Sequence, residues 1–233
     1  NAPAVPGELT AFGAPLYPPP MPAPAQAGDP EVRAAVRRGL ILTALPASGD
    51  EVRGIAALFP GARTFLGAAA TEERAKSVPK DTRYLHFACH GLLDGRLPLN
   101  SALALSIPEH PKEGEDNGLL QAWEIFESVR LDADLVTLSS CDSGLGQEMG
   151  GEGLLGLTRA FQYAGARSVL ASLWSVSDSA TADLMKRFYG HLREGLTKDE
   201  ALRRAQVDLI RSPKKEFAHP FYWAAFQLSG DWR

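Results

Sequence analysis

Hydrophobic residues in this chain fall into two alternating kinds of stretch, which predict strands and helices in turn. Short apolar runs typical of buried strands occupy residues 8–13, 40–44, 63–66, 84–90, 101–106, 134–140, 168–174 and 221–228. Apolar positions at helical spacing, most of them preceded by capping residues, predict helices over about 31–38, 48–59, 71 onward, 119–129, 153–164, 177–192 and 197–210. Gly165 is well placed to end the helix before it.

Strands that alternate with helices, several of them apolar throughout, predict an α/β fold. We expect a mostly parallel sheet of about six strands with helices on both faces. Residues 1–30 stand apart, because they hold nine of the seventeen prolines. We expect an extended N-terminal segment there, including an edge strand over 8–13 and a linker, and a domain over 31–233. The charged, proline-containing stretch 107–118 is expected to be a loop.

Two of the predicted strands end in residues that carry chemistry, His90 and Cys141. In a mostly parallel sheet, functional residues lie beyond the carboxyl ends of the strands, so these two side chains can meet there. A thiolate attacks carbonyl carbon, and an imidazole can act as its base and then as proton donor to the leaving amine. The backbone N–H of Gly91 can approach a substrate carbonyl closely and form an oxyanion hole with the Cys141 N–H. The alternative is that Cys141 merely ends a core strand, as free cysteines often do.

Other candidate chemistry is weaker. Alternation places His86 and His90 on one side of their strand and Cys89 on the other, so we expect Cys89 to be an unreactive core thiol and His86 a hydrogen-bonded core histidine. That split disfavours a metal site, because no second Cys/His cluster supplies ligands. The glycine-rich stretch 144–156 contains neither a P-loop nor a dinucleotide fingerprint, which indicates a loop beside the cysteine. No GxSxG elbow occurs either, which disfavours a serine hydrolase.

Composition narrows the class of protein further. The 233 residues suffice for one large domain, and 45% hydrophobic with 22% charged residues is ordinary for a globular protein. A net charge of −4 without a basic stripe argues against nucleic acid as a direct ligand. No apolar run is long enough to cross a bilayer, and there is no signal-peptide pattern. Two cysteines form no disulfide framework, so we expect a cytoplasmic domain, excised from a longer protein.

Five blocks of sequence resemble the signature blocks of CHAT domains, caspase-like peptidases often joined to tetratricopeptide repeats. In family order they are HFACHG at 86–91, LSSCDSGLG at 138–146, GEGLLGL at 151–157, AGARSV through LWSVSD over 164–178, and HPFYWAAF at 219–226. In caspases the catalytic histidine lies about fifty residues before the cysteine, and His90 lies 51 residues before Cys141. Cys89, Ser140 and Asp142 depart from the commoner family wording, but none of them removes a catalytic atom.

The resemblance implies a three-layer caspase–hemoglobinase-like fold and a cysteine endopeptidase. His90 and Cys141 would be the catalytic pair, and the amides of Gly91 and Cys141 the oxyanion hole. No cofactor and no metal are expected. The expected partners are a protein substrate and a regulatory partner or upstream repeat domain that activates the enzyme. The rival hypothesis is an interaction module that kept the fold and lost the chemistry, because a fold alone does not guarantee activity.

Substrate recognition rests on fewer residues. The resemblance implies that the segment after the strand at 168–174, with Trp174, Ser175 and Asp178, lines the substrate cleft. Carboxylates pair with Arg or Lys, so Asp178, together with Asp94 and Asp142, predicts a weak preference for a basic residue before the scissile bond. The same three aspartates also suit capping or solvated positions.

The loop after Cys141 yields the first testable prediction. Caspases are commonly activated by a cut shortly after the cysteine, but residues 131–158 contain no Lys or Arg. A protease that cuts after basic residues cannot sever this loop, so activation is expected to be conformational or to use a cut elsewhere. Mass spectrometry of the active protein should therefore find the chain intact between 142 and 152, and a cut there contradicts the prediction.

Overall fold

The computed structural model describes residues 8–17, 42–109, 115–139, 141–142, 151–174, 176 and 178–233. Strands and helices alternate along most of this length. The strands among the described residues are β1 (Leu9–Gly13), β2 (Arg63–Leu66), β3 (Tyr84–Ala88), β4 (His90–Leu92), β5 (Ala102–Ala104), β6 (Leu119–Gln121), β7 (Leu135–Leu138), β8 (Cys141–Asp142), β9 (Ser168–Ser172) and β10 (Phe226–Gly230). The α-helices there are α1 (Pro46–Ala56), α2 (Glu72–Lys76), α3 (Ala122–Ser128), α4 (Gly151–Ala164), α5 (Asp178–Arg193) and α6 (Lys198–Ile210).

Six strands form one sheet in the order β10-β9-β7-β3-β1-β2. Neighbouring strands are parallel except for β9 and β10, which are antiparallel. The predicted mostly parallel sheet of about six strands is therefore confirmed. The predicted edge position of residues 8–13 is wrong, because β1 lies between β3 and β2 and all its residues are buried. This N-terminal strand thus lies inside the six-stranded sheet.

Alternation along the strands sends side chains into two apolar layers. On one face Leu9, Tyr84 and Leu135 belong to a buried cluster with residues of α1, α5 and α6. On the other face Leu85 and Val136 belong to a cluster with residues of α2, α3 and α4. Helices therefore cover both faces, and complete burial of each large aliphatic side chain stabilises the fold by roughly 1.5–3 kcal/mol.

A second sheet, which the sequence did not predict, continues two strands of the first. Its order is β6-β5-β4-β8. β4 follows β3 after the single residue Cys89, and β8 follows β7 after residues 139–140, so the parallel β3–β7 pair continues as the parallel β4–β8 pair. β5 lies antiparallel to both β4 and β6. Strands of two or three residues are too short to show a period in the sequence.

The predicted helix over 119–129 begins as a strand instead. Leu119–Gln121 forms β6, and α3 starts at Ala122. The side chains of Gln121 and Glu124 make a reciprocal capping box that begins the helix at this point. Pairing with β5 and the cap together override the helical period of the first three residues.

Two further strand predictions, over 40–44 and 221–228, differ from the structure. Residues 42–45 have no regular secondary structure where a strand over 40–44 was expected, and the predicted helix over 31–38 lies outside the described residues. The predicted strand over 221–228 is a short 3-10 helix, Pro220–Tyr222, followed by β10 from Phe226. Proline suits the first turn of such a helix because it needs no backbone N–H there.

Helix α4 begins at Gly151, so the predicted helix over 153–164 is confirmed, and the loop expected over 144–156 is wrong for residues 151–156. Its glycines allow close packing against the segment that follows β4. A Cβ on Gly156 would lie 2.5 Å from the carbonyl oxygen of Pro98, and one on Gly153 would lie 3.0 Å from the backbone nitrogen of Asp94. The start of α4 therefore lies directly against residues 93–101.

Replacing Gly156 with alanine tests this close packing. Helix propensity alone favours alanine by about 1 kcal/mol, but the new methyl group must displace the Pro98 backbone, and overpacking costs about 1–3 kcal/mol. We therefore expect Gly156→Ala to lower the free energy of unfolding, measured by urea denaturation. Gly190→Ala is the matched control, because nothing lies within 4 Å of that Cβ position in α5. An equal gain in both variants contradicts the packing argument.

Candidate active site

The register of β4 against β8 places His90 opposite Cys141 and Gly91 opposite Asp142. Neighbouring strands lie about 4.7–4.9 Å apart, so the backbones of His90 and Cys141 are adjacent. The side chains of Cys141 and Asp142 lie outside the described part of the chain. The structure thus brings the two predicted strand ends into register, at the carboxyl edge of β3 and β7.

The imidazole of His90 is held by a backbone carbonyl. Its Nε2 lies 2.8 Å from the oxygen of Thr43, and the side chain is buried, with 6% exposure. A carbonyl oxygen only accepts hydrogen bonds, so Nε2 carries the proton. Nδ1 is buried and has no hydrogen-bond partner among the described residues. In the neutral ring Nδ1 therefore bears the lone pair, which is the form that can accept a proton.

Tyr17 covers the same imidazole from another side. Its ring centroid lies 5.3 Å from that of His90, and its hydroxyl donates to the Ala104 carbonyl at 2.8 Å. The backbone N–H of His90 points to the same hydroxyl at 3.4 Å. Burial raises the pKa of Tyr17, so the hydroxyl keeps its proton at neutral pH. Through these two contacts, Tyr17 holds the backbone of His90 in position.

Sequence reasoning did not find Tyr17 or Thr43. Both flank the proline-rich region, and neither lies in a motif or at a periodic position. Thr43 contributes a backbone carbonyl, which every residue has, so its side chain carries no signal. Only Tyr17 offers a hint, as an aromatic residue that follows β1 closely in sequence.

Gly91 lies in the middle of β4, opposite Leu103 of β5 and Asp142 of β8. Its backbone is thus flanked by a strand on each side. The assignment of its N–H, with that of Cys141, to an oxyanion hole stays a prediction.

The residues predicted to bind substrate are found in different settings. Asp94 caps a turn, since its Oδ1 accepts from the backbone N–H groups of Arg96 and Leu97, both at 2.9 Å. Trp174 follows β9, and its Nε1 donates to the Phe221 carbonyl at 3.1 Å. Asp178 is the first residue of α5, although its side chain, like the whole of Ser175, lies outside the described residues. Their roles in binding stay predictions.

Cys89 and His86 are core residues, as predicted. Cys89 is buried among apolar side chains that include Phe87 and Leu138, and burial raises the pKa of its thiol. His86 is fully buried on the opposite face, and its Nδ1 lies 3.3 Å from the hydroxyl of Tyr189. Cys89 therefore stays a protonated, inaccessible thiol at neutral pH.

Three carboxylates converge elsewhere, beside α2 and α3. One oxygen from each of Glu72, Asp116 and Glu124 lies within 4.8 Å of the others, a donor set that suits a hard divalent cation. The Nζ of Lys76 lies 2.6–2.8 Å from all three. Burial raises the pKa of Glu72 to about 7, against the opposing effect of Lys76. The Lys76 ammonium thus occupies the place that a cation would take.

Comparison with known proteins finds a matching domain family. The profile of the CHAT domain matches residues 11–231. Tetratricopeptide repeat protein 28 of Homo sapiens is 29% identical over 231 residues, and its Mus musculus counterpart is 30% identical. Each match covers 87% of this chain but 9% of the relative, so the chain spans less than a tenth of the length of these relatives.

A solved structure shares the architecture. The crystal structure of gingipain R, an Arg-specific cysteine proteinase, superposes with a TM-score of 0.53 at 8% sequence identity, covering 96% of this chain and 46% of that one. At this identity the similarity shows the fold alone, which is caspase-like. In the part of the chain that the structure describes, no α-helix has both the length and the apolarity to cross a membrane.

The two cysteines should differ sharply in reactivity. Cys89 is inaccessible and its pKa is raised, whereas a cysteine activated by His90 is a thiolate at neutral pH. We expect iodoacetamide to label Cys141 at least about a hundredfold faster than Cys89, measured by peptide mass spectrometry over time. His90→Gln should slow only Cys141, and urea should remove the difference. Equally slow labelling of both cysteines in the folded protein contradicts the prediction.

Proposed function

Because the chain belongs to the CHAT domain family, we propose that it is a cysteine endopeptidase in which His90 and Cys141 form the catalytic pair. One observation carries the proposal: β4 and β8 place the two residues opposite each other, and the Nδ1 of His90 is buried without a partner among the described residues. A buried polar atom without a partner is costly in a folded protein, so its presence needs an explanation. Proton exchange with the thiol of Cys141 would supply one.

The proposed reaction follows from the tautomer of His90. The Thr43 carbonyl keeps the proton on Nε2, and Nδ1 takes the proton of the Cys141 thiol. The thiolate attacks the carbonyl carbon of the scissile peptide bond, and the amides of Gly91 and Cys141 stabilise the oxyanion. The protonated imidazole gives its proton to the leaving amine as the C–N bond breaks. Water then hydrolyses the thioester, returning a proton to the thiol through His90.

The proposed substrate is a protein with a basic residue before the scissile bond. Asp142 is the last residue of β8, and Asp178 is the first residue of α5, the helix that follows β9. Asp94 caps a turn through Oδ1 and offers its second oxygen. Trp174 and Ser175 would line the same cleft. Carboxylates at such positions recognise Arg or Lys by charge-assisted hydrogen bonds.

Activation by a repeat domain or a regulatory partner completes the proposal. The relatives are tetratricopeptide repeat proteins of which this chain spans 9%. His90 contacts Tyr17 in the segment 14–17 and Thr43 in the segment 42–45, and both segments lie far from His90 in sequence. A partner that shifts either segment would shift the imidazole.

An inactive interaction module is the second candidate. The observation in its favour is the burial of His90, with Nε2 engaged by Thr43 and the ring covered by Tyr17. A module of this kind would bind its partner through the same fold without using Cys141.

Peptide cleavage separates the two candidates. Wild type and Cys141→Ala should be compared on a proteome-derived peptide library, with Cys89→Ala as the matched cysteine control. We expect cleavage after Arg or Lys by wild type, a loss of about a thousandfold or more in Cys141→Ala, and nearly unchanged activity in Cys89→Ala. Identical peptide profiles for wild type and Cys141→Ala would favour the interaction module. Preferred cleavage after Asp would overturn the basic preference alone.

A further inference from the structure

A chain of buried polar side chains lies in the core beneath the candidate active site. It joins Glu51 of α1, His86 of β3, Tyr189 of α5 and Thr137 of β7, all buried. The Oε1 of Glu51 lies 3.0 Å from the Nε2 of His86, and the Nδ1 of His86 lies 3.3 Å from the hydroxyl of Tyr189. That hydroxyl lies 2.9 Å from the Oγ1 of Thr137. Two helices on one face of the sheet are thereby joined to two adjacent strands.

The direction of the hydrogen bonds follows from the Glu51 end. A carboxylate oxygen accepts, so the Nε2 of His86 carries the ring proton on the side of Glu51, and Nδ1 accepts from the Tyr189 hydroxyl. Tyr189 in turn accepts from the Thr137 hydroxyl. The Glu51–His86 contact is short but not aligned as a hydrogen bond, since both atoms lack such a partner among the described residues. The pair is therefore an electrostatic contact that holds α1 against the sheet.

The position of this chain relative to the active site is defined by strand register. His86 of β3 lies opposite Thr137 of β7, and four residues further along the chain His90 of β4 lies opposite Cys141 of β8. The helix that carries Glu51 begins at Pro46, three residues after Thr43. The strands of the polar chain, β3 and β7, thus lead directly into those of the proposed catalytic pair, β4 and β8, and α1 follows the Thr43 carbonyl.

Thr43 depends on α1 for its position. It is exposed and lies in a segment without regular secondary structure. The segment joins α1 through Ser48, whose hydroxyl donates to the Leu45 carbonyl at 2.7 Å and accepts from the N–H of Ala14 at 2.8 Å. Any rotation of α1 about its axis therefore moves the carbonyl that faces His90.

Apolar packing does not by itself fix that rotation. Val52 and Ile55 bury α1 against the sheet, but hydrophobic contact is not directional. A buried carboxylate is different, because it is costly without a cationic or hydrogen-bonding partner. The rotation that brings Glu51 to the N–H side of His86 lowers this cost, because the two groups then attract each other electrostatically at 3.0 Å.

We propose that Glu51 and His86 are positioning residues for His90: their buried contact sets the rotation of α1 and so keeps the Thr43 carbonyl on Nε2. The consequence is a single imidazole tautomer, with its lone pair on Nδ1. The effect on catalysis rests on the proposed function, whereas the effect on the tautomer does not.

Nitrogen-15 NMR of the imidazoles tests the tautomer directly. The chain has only five histidines, and His90→Gln assigns the signal of His90. The measurement uses a Cys141→Ala background, which removes the thiol as a proton donor, at about pH 8, where a free imidazole is neutral. We expect the Nε2–H form alone in this background and both tautomers when Glu51→Leu is added. Glu51→Gln, which keeps an acceptor oxygen, should restore the single form in part.

Asp50→Leu is the matched control, because Asp50 lies one residue away on the exposed side of α1, paired with Arg53. It should leave the tautomer of His90 unchanged. If Glu51→Leu does not fold, Tyr189→Phe carries the test, since it removes the hydroxyl that holds Nδ1 of His86. A pure Nε2–H signal in a folded Glu51→Leu or Tyr189→Phe variant would overturn the proposal.

Kinetics on the intact Cys141 enzyme distinguish this proposal from the proposed function. Misorientation of the base should lower kcat of Glu51→Leu by about tenfold and leave KM nearly unchanged. An equal kcat in Glu51→Leu and wild type would contradict the positioning role. Absence of cleavage by wild type would refute the peptidase, while the NMR result would still decide the role of Glu51 and His86.

Discussion

The pairing of two parallel strands is the constraint on which this structure depends. β3 lies beside β7, and the two segments continue as β4 beside β8. Because side chains alternate with a period of two, a slip of one residue would exchange the two faces of a strand. Apolar pairs between β3 and β7 in the six-stranded sheet resist such a slip. Leu85 lies opposite Val136 and Phe87 lies opposite Leu138, all in one buried layer. The register that packs the core therefore also sets His90 against Cys141.

Two histidines four residues apart are used in different ways by this framework. His86 has both ring nitrogens close to side-chain oxygens, of Glu51 and Tyr189. His90 has one nitrogen on a neutral backbone carbonyl and the other without a partner among the described residues. A ring enclosed on both sides is suited to holding elements in place, whereas a ring with a buried lone pair is suited to accepting a proton. The contacts of each ring, more than its burial, separate the two roles.

Much of the six-stranded sheet and the placement of His90 could be predicted from the sequence, because both depend on local patterns of apolar residues. The period along 84–90 separated Cys89 from His90, and continuous apolar runs predicted the sheet. The strand expected over 101–106 contains β5, but the second sheet as a whole could not be predicted, since β4, β6 and β8 have two or three residues each. The edge position predicted for β1 was wrong because the prediction rested on the nearby prolines. The apolar run itself is buried on both faces, as in an interior strand. Thr43 and Tyr17 act on His90 across 47 and 73 residues of chain, and local patterns do not report such contacts.

The buried polar chain is best understood by asking what an apolar replacement would change. Replacing both members of a buried polar pair with apolar side chains of the same shape is often nearly neutral or stabilising. Stability alone therefore gives little reason to place Glu51 against His86. An apolar pair, however, would accept several rotations of α1, since its contacts are not directional. The Glu51 carboxylate favours the single rotation of α1 in which it faces His86. That rotation places the Thr43 carbonyl on the imidazole of His90. The cost of burying these groups is thus offset by a defined geometry at the strand ends, where the proposed reaction moves a proton between His90 and Cys141.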